Sequence, residues 1–346
     1  MRTAVRFRRV LLGLALALVA AFLLGVAVGA VWVTPWSPIR LVGWKLGLVD
    51  RPEDVARSAE VIVFQLRLPR VLLAAIVGAA LAASGTVFQG LFRNALADPA
   101  IIGVSSGAAL GAVLVIVTIG AGSLGAFGVP LAAFCGAMAT AILVYRLARI
   151  GPTVHVATLL LAGIAVAAVI SSVMSLVMSF SGEEIRNIYA WLLGGLVAQG
   201  WRSIATVLPV VAVGLAGATV VSRELNLVAL GEERAAQLGV EVDRLKRRAI
   251  AVGALLAAGA VSVAGVIGFV GLMTPHLLRL VIGADHRRLL PAAVLGGAIL
   301  LILADLAART IIAPSELPVG VVTALLGGPF FLFLLRREGR RAGARG

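Results

Sequence analysis

Charged residues are scarce in this sequence. Asp, Glu, Lys and Arg make up 13% of its 346 residues, whereas soluble proteins need about 25% to cover their surface. Hydrophobic residues make up 61%. A chain of this composition cannot present a mainly hydrated surface, so a soluble globular protein is excluded and a lipid-embedded protein is predicted.

Cysteine and histidine, which supply most disulfides and many metal sites, are nearly absent. The single cysteine, Cys135, lies inside an apolar run and excludes a disulfide framework. The three histidines are His155, His276 and His286, and no two of them have the spacing of metal ligands on one helix. We therefore predict no metal site in this chain.

Lysine is also rare, and this limits the chemistry of phosphate binding. A P-loop needs a glycine followed directly by lysine, but Lys45 follows Trp44 and Lys246 follows Leu245. No nucleophile, base or metal set converges elsewhere in the sequence. The sequence thus predicts no catalytic residue, no cofactor bound by the chain and no enzyme activity, a membrane enzyme being the weakest of the alternatives.

Long apolar runs, in contrast, are frequent. Runs of about 20 residues match the hydrocarbon core of a bilayer. They are apolar throughout, which favours helices over the alternating strands of an outer-membrane barrel. We predict an all-α integral membrane protein, a bundle of about ten transmembrane helices. The predicted spans are 10–33, 71–92, 101–119, 128–147, 154–178, 203–222, 249–270, 274–283, 290–310 and 318–335.

The ends of the spans indicate the orientation of the chain. The first apolar run is longer than a secretory signal requires, so we predict a retained span. Most Lys and Arg residues fall on the side of the membrane that carries the N-terminus. This bias predicts that both termini are cytoplasmic, and it accounts for the net charge of +14 without nucleic-acid binding.

Two hydrophilic stretches interrupt the spans. Residues 34–69 contain several prolines and mixed charges, and we predict an external loop there. Residues 223–248 carry Glu and Arg at helical spacing, broken by Gly231 and Gly239, and we predict a cytoplasmic segment of two short helices. Gly239 fits the position that ends a helix.

One acidic residue lies well inside a predicted span. Asp305 precedes Arg309 by four residues, which predicts an ion pair along one helix face. A stand-alone ion-coupled secondary transporter, the main alternative function, would need several such acids. A single acid with a nearby partner argues against proton coupling.

Several ordered motifs follow residue 60. Among them are Arg67-Leu68-Pro69-Arg70, Arg93-Asn94-Ala95-Leu96-Ala97-Asp98-Pro99, Gly268-Phe269-Val270-Gly271-Leu272, Ala304-Asp305 with Arg309, and Leu317-Pro318-Val319-Gly320. In order and interval they resemble the FecCD-type permeases of ATP-binding-cassette (ABC) importers, which carry iron-siderophore complexes, haem or cobalamin. The family commonly has Asn-Pro-Leu-Ala where this chain has Asn94-Ala95-Leu96-Ala97.

The resemblance implies an architecture and partners. Residues 1–346 are expected to form a single permease domain with the type II ABC importer fold, located in a bacterial inner membrane. Two copies are expected to pair as a homodimer. Two cytoplasmic ATPase subunits, which bind ATP and Mg, and an external solute-binding protein are expected to join them. The substrate is expected to be an iron chelate, a ferric siderophore or haem, with cobalamin as a further option.

The resemblance also implies three groups of site residues. The residues expected to couple to the ATPase are Leu230, Gly231, Glu232, Glu233, Ala235, Ala236, Leu238 and Gly239. The residues expected to dock the binding protein are Arg67, Arg70 and Arg309, with internal pairing as the alternative role. The residues expected to line the translocation path are Ser171, Ser172, Met174, Ser175 and Met178, with a short helix within residues 182–195 over the external mouth.

Overall fold

The computed structural model describes residues 2–29, 37–45, 47–50, 57–120, 125–151, 153–196 and 200–343. Within these ranges the protein is almost entirely helical. The helices are α1 (Arg2–Ala27), α2 (Ser37–Lys45), α3 (Arg57–Val61), α4 (Leu68–Leu91), α5 (Val104–Ile119), α6 (Gly128–Ala148), α7 (Val156–Ser179), α8 (Ile185–Leu192), α9 (Trp201–Val228), α10 (Glu232–Gln237), α11 (Val242–Ala264), α12 (Val270–Ile282), α13 (His286–Thr310) and α14 (Val319–Gly343).

Short elements join some of these helices. A π-helical turn, Ile62–Arg67, connects α3 to α4 without a break. Single 3₁₀ turns occupy Pro99–Ile102, Gly125–Phe127 and Gly182–Glu184. Two two-residue strands, β1 (Arg149–Ile150) and β2 (Thr153–Val154), form a small antiparallel hairpin between α6 and α7.

The predicted membrane architecture is confirmed. Seven helical segments in the described part of the chain are long and apolar enough to cross a bilayer, and α5, α12 and the apolar part of α14 are shorter. Together they correspond to the ten predicted spans. The eighth span is short, as predicted, because α12 begins only after the irregular segment that follows α11. Residues 30–33, predicted to end the first span, lie outside the described residues.

The prediction of a loop over residues 34–69 was wrong for much of its length. Helix α2 lies within it, and from Arg57 onward the chain is helical straight into α4. Residues 34–36, 46 and 51–56 lie outside the described part of the chain. The error arose because Arg67 and Arg70 indicate a hydrated segment by hydropathy. The fold buries Arg67, leaves 12% of the Arg70 side chain exposed, and provides partners for both.

The 223–248 segment also differs from its prediction. Half of it belongs to the ends of α9 and α11, which extend past the apolar runs, and α10 is the only separate helix between them. Gly231 and Gly239 flank α10 with φ of +115° and +86°. Backbone with positive φ strongly favours glycine, so the two glycines allow the sharp turns at either end of α10.

Helix α4 forms the centre of the bundle. It packs against α9, α11, α12 and α13, and nearly all its side chains beyond Leu72 are buried. Small residues allow these close contacts: a Cβ at Gly78 would overlap the backbone of Gly297, and one at Gly85 would overlap the carbonyl of Gly271. Such close approach lets van der Waals packing hold helices together in lipid. Helix α7, by contrast, lies at the outside of the bundle.

Candidate functional site

The connection between α9 and α11 is a polar segment at one end of the bundle. Its helix α10 is only six residues long and is anchored by Ala235, which is fully buried. Ala236 is exposed, so the two alanines that were both expected to couple to the ATPase face in different directions. The turn after α10 is closed by hydrogen bonds from Gly239 N to Ala236 O and from Val240 N to Ala235 O. This confirms that Gly239 ends the helix.

Two leucines project from this connection. Leu230 and Leu238 stand on either side of α10 and are 56% and 60% exposed. Glu233 is exposed between them. A shallow cleft of about 390 Å³ lies beside α10, lined by Arg93, Leu230, Gly231, Glu232, Glu233 and Arg234. Exposed apolar side chains beside a charged helix are suited to contact with another protein.

Glu232 faces the bundle instead of the surroundings. Its carboxylate accepts a hydrogen bond from Lys246 Nζ at 2.7 Å. The same ammonium donates to the carbonyl oxygen of Val154 at 3.0 Å. Lys246 is buried, with 7% of its surface exposed. The sequence interpretation missed this role because nothing in the local sequence indicates that Lys246 reaches residues so far away in the chain.

The three arginines predicted to dock a binding protein converge at the opposite end of the bundle. Arg70 Nε lies 2.9 Å from Asp305 Oδ1, and Arg309 Nε lies 3.1 Å from Asp305 Oδ2. Arg70 also contacts Glu316 at 2.9 Å. Glu316 was missed by the sequence interpretation, because it lies in a turn of ordinary polarity. The pairing predicted between Asp305 and Arg309 is therefore present.

Arg67 and Arg309 do not reach the surface. Arg67 donates to the carbonyl oxygens of Val26 and Ala27, and Arg309 donates to that of Gly25. These carbonyls belong to the last turn of α1, which lacks helical partners and carries partial negative charge. The structure thus gives both side chains the internal role that was the alternative to docking. Because both are buried, neither is available in this conformation for direct contact with a binding protein. Arg70 is the least enclosed of the three.

The serines predicted to line the path lie on the outer side of α7. Ser171, Ser172 and Ser175 are exposed, while Met174 and Met178 pack partly against a small cluster on α5 and α8. Ser172 and Ser175 donate their hydroxyls to carbonyl oxygens one turn back on the same helix. This leaves a surface that is mildly polar but offers few free donors.

A larger cavity of about 1000 Å³ lies next to α8, at the end of the bundle that holds Glu316. Its lining residues come from three helices and include Trp191 and Asn187 of α8, Trp201 and Arg202 of α9, and Ser262 of α11. Asn187 donates to Glu184 at 2.7 Å, which ties α8 to the 3₁₀ turn before it. The short helix predicted within residues 182–195 is therefore present as α8.

A buried polar cluster fastens the central helices near α10. Gln89 accepts a hydrogen bond from Arg279 at 3.0 Å and donates to the Leu272 carbonyl at 3.1 Å. Asn226 accepts from the backbone N–H of His286 at 2.8 Å. In the turn after α4, burial raises the pKa of Asp98, and a hydrogen bond from the Ala100 N–H opposes that rise. These groups hold helix ends and do not form a reactive set.

Comparison with known proteins identifies the architecture. The model of the FecCD transport family matches residues 17–337. The chain is 50% identical to the cobalamin import system permease protein BtuC of Halobacterium salinarum over 83% of this chain and 77% of that protein. It is 46% identical to the hemin transport system permease protein HmuU of Yersinia pestis over 80% of this chain and 84% of that protein.

Longer matches extend over nearly the whole chain. The vitamin B12 import system permease protein BtuC of Escherichia coli is 39% identical over 96% of both chains. A solved structure, described as an inward-facing conformation of a metal-chelate type ABC transporter, superimposes with a TM-score of 0.82 at 32% identity. It covers 95% of this chain and 99% of that one. The chain therefore belongs to the FecCD transport family, and it is a permease subunit of an ABC importer.

Proposed function

We propose that this permease imports a metal chelate as a homodimer. Its ferric or cobalt cargo would be a haem, a cobalamin or a ferric siderophore. The relatives that are 46% and 50% identical to it over the aligned regions are named for hemin and cobalamin, both metal-bearing macrocycles. We place the chain in a bacterial inner membrane with both termini in the cytoplasm, which the distribution of Lys and Arg supports.

The outer side of α7 supports the homodimer and the path. Leu161, Ile164 and Leu176 are strongly exposed on this helix, next to Ser172 and Ser175. A second copy of the chain would cover this face and enclose a passage between the two α7 helices. A bulky chelate could slide along serines that already have hydrogen-bond partners, because it would find few donors that hold it.

The observation that carries the proposal is α10, an exposed helix between two membrane spans. We propose that α10, with Leu230 and Leu238, seats in a cytoplasmic ATPase subunit, one per copy of the chain. Apolar side chains surrounded by charges are typical anchors of protein interfaces. Glu232 and Ala235 hold α10 from inside, while Glu233 and Ala236 face the partner. ATP and Mg would be bound by the ATPase, and this chain would bind neither.

We further propose that an external binding protein docks near Arg70. The Arg70 guanidinium is shared between Asp305 and Glu316 at the bundle end, and a guanidinium suits a carboxylate on a partner. Arg67 and Arg309 would support this docking from beneath by holding the end of α1. The cavity beside α8 lies at the same end and would receive the chelate on release.

The alternative, a secondary transporter, finds little support. Asp305 is the one acidic residue that lies within the predicted spans in the described part of the chain, and two arginines neutralise it. A coupling site for protons needs an acid that can gain and lose a proton during transport. An acid fixed between two guanidinium groups is poorly suited to that task.

Proteoliposomes test the proposed function directly. The chain is reconstituted with its ATPase and binding protein, and uptake of hemin, cobalamin and a ferric siderophore is measured with and without ATP. We expect ATP-dependent uptake of one of these chelates, and none when the ATPase is omitted and a proton gradient is imposed. Gradient-driven uptake by the chain alone would overturn the proposal in favour of the secondary transporter.

A further inference from the structure

We infer that Lys246 is a positioning residue that transmits motion from α10 to α7. The inference rests on the proposed function, in which α10 receives the ATPase and α7 lines the path. It names the side chain that connects the two. Lys246 lies in the second turn of α11.

The geometry joins three elements through one atom. Lys246 Nζ is 2.7 Å from Glu232 Oε2, at the first residue of α10, and 3.0 Å from the carbonyl oxygen of Val154. Val154 ends β2, and α7 begins two residues later at Val156. The ammonium of Lys246, which belongs to a third element, therefore bridges Glu232 and Val154.

The burial of Lys246 limits how far its ammonium can move relative to its two partners. An exposed lysine can follow a moving partner by changing its rotamers, but 9% of this side chain is exposed and packing limits that freedom. Hydrogen bonds of this kind tolerate a change in length of only about 0.5 Å. A larger displacement of Glu232 must move the β2 carbonyl with it, or break one of the two bonds.

Other basic residues on α11 have a different arrangement. Arg244 pairs with Glu241, three residues away, and both side chains are at least half exposed. Arg248 lies 3.9 Å from Glu224 with half of its side chain exposed. Neither contact reaches α7 or its hairpin. Lys246 is thus distinguished among these basic residues by its burial and by its contact with Val154, at the end of β2 just before α7.

The proposed transmission follows from these contacts. When the ATPase subunits close on ATP, they shift α10 and with it the carboxylate of Glu232. The ammonium follows the carboxylate and pulls on the Val154 carbonyl, which tilts the start of α7. An equilibrium between two states of α7 is biased only if the bonds differ between those states. The ion pair supplies that difference.

The test measures coupling, because a structural role would not change it. Lys246→Met removes the charge but keeps an unbranched side chain of similar length. In the reconstituted complex we expect ATP hydrolysis within about twofold of wild type and uptake per ATP lowered about fivefold or more, in the range of mutations that modulate coupling between sites. Lys246→Arg, which keeps a cation and its donors, should retain more than half of the wild-type coupling. Arg244→Met is the matched control and should couple like wild type.

A conformational measurement accompanies the uptake assay. Ser172→Cys is introduced with Cys135→Ser, because Cys135 is exposed and would react as well. ATP should change the rate at which a water-soluble maleimide labels Cys at 172 in the wild-type background. With Lys246→Met that change should be lost. If Lys246→Met fails to fold, Glu232→Gln tests the same contact and should give the same loss.

Two outcomes overturn the inference. One is an unchanged uptake per ATP in Lys246→Met, whether hydrolysis and uptake both stay at wild-type rates or fall equally. The other is a retained ATP effect on labelling at 172. An equal fall would mean that Lys246 only supports the ATPase contact. Failure of the proposed function has a different signature, because then the wild-type complex itself shows no ATP-driven uptake.

Discussion

Asp305 lies between two guanidinium groups that come from different helices: Arg309, one turn further along α13, and Arg70 of α4. Asp305 is 1% exposed, so its charge is tolerated only because these partners neutralise it. The same arginine, Arg309, donates to the Gly25 carbonyl at the end of α1. Asp305 thus links α13 to α4 directly, and to α1 through Arg309, at this end of the bundle.

Replacing this carboxylate should be costly. Asp305→Asn leaves Arg309 buried without a full counter-charge, and we expect the free energy of unfolding to fall by about 3–5 kcal/mol. Glu316→Gln is the control: it removes the other acid that contacts Arg70, but at a half-buried position, so we expect a loss of at most about 1 kcal/mol. Thermal unfolding of both variants in detergent checks the prediction. Similar melting temperatures for both would contradict it.

Close packing of α4 on α12 gives a second prediction. A methyl group at Gly85 would overlap the Gly271 carbonyl, and backbone on both sides limits relaxation. We expect Gly85→Ala to lower stability by about 1–3 kcal/mol. Gly328→Ala, at a helical glycine with open space around it, should be neutral or slightly stabilising. Unfolding of the purified variants distinguishes the two, and equal stability would mean that α4 and α12 can separate without cost.

The apolar surface around α10 gives a third prediction. Leu230→Asp with Leu238→Asp should lower the affinity for the ATPase subunit about tenfold or more, because central apolar anchors carry most of the free energy of an interface. Leu48→Asp is the matched control, since Leu48 is a strongly exposed leucine in the turn after α2. Co-purification and titration of the ATPase measure the difference. Unchanged binding in the double variant would exclude α10 as the docking element.

The outer face of α7 gives a fourth prediction. With Cys135→Ser as background, cysteines at Ser172 and Ser175 should react with a water-soluble thiol reagent in at least one nucleotide state. Val213→Cys, at an exposed position of α9, should remain unreactive because lipid would cover it. The comparison is made by mass spectrometry of labelled proteoliposomes. If neither serine position reacts in any state, these residues do not line the path.

Much of this fold could be predicted from hydropathy. Spans such as α6 and α7 begin and end within two or three residues of prediction, because apolar residues continue until charge or glycine interrupts them. The start of α4 could not be predicted in this way. Arg67 and Arg70 interrupt the apolar run, yet both lie in continuous helix because distant carbonyls and carboxylates satisfy them.

In the candidate sites, too, some features could be predicted from the local sequence and others depend on distant contacts. Gly231 and Gly239 mark the ends of α10 from the sequence, because a local property, the freedom to adopt positive φ, is what those turns require. Sequence reasoning gave Glu232 and Glu233 the same role, but the structure separates them: Glu232 pairs inside with Lys246 and Glu233 is exposed. Burial of one member of a pair depends on elements that lie elsewhere in the chain.

The sequence by itself determined that this protein is a helical membrane bundle, how many spans it has and where its polar connection lies. Those properties follow from the transfer of contiguous side chains and backbone into lipid, which depends on local composition. Only the tertiary structure decided that Asp305 is shared by two arginines and that Lys246 joins α10 to the start of α7. Residues 92 positions apart, such as Val154 and Lys246, come into contact through helix packing, and no local pattern encodes that distance.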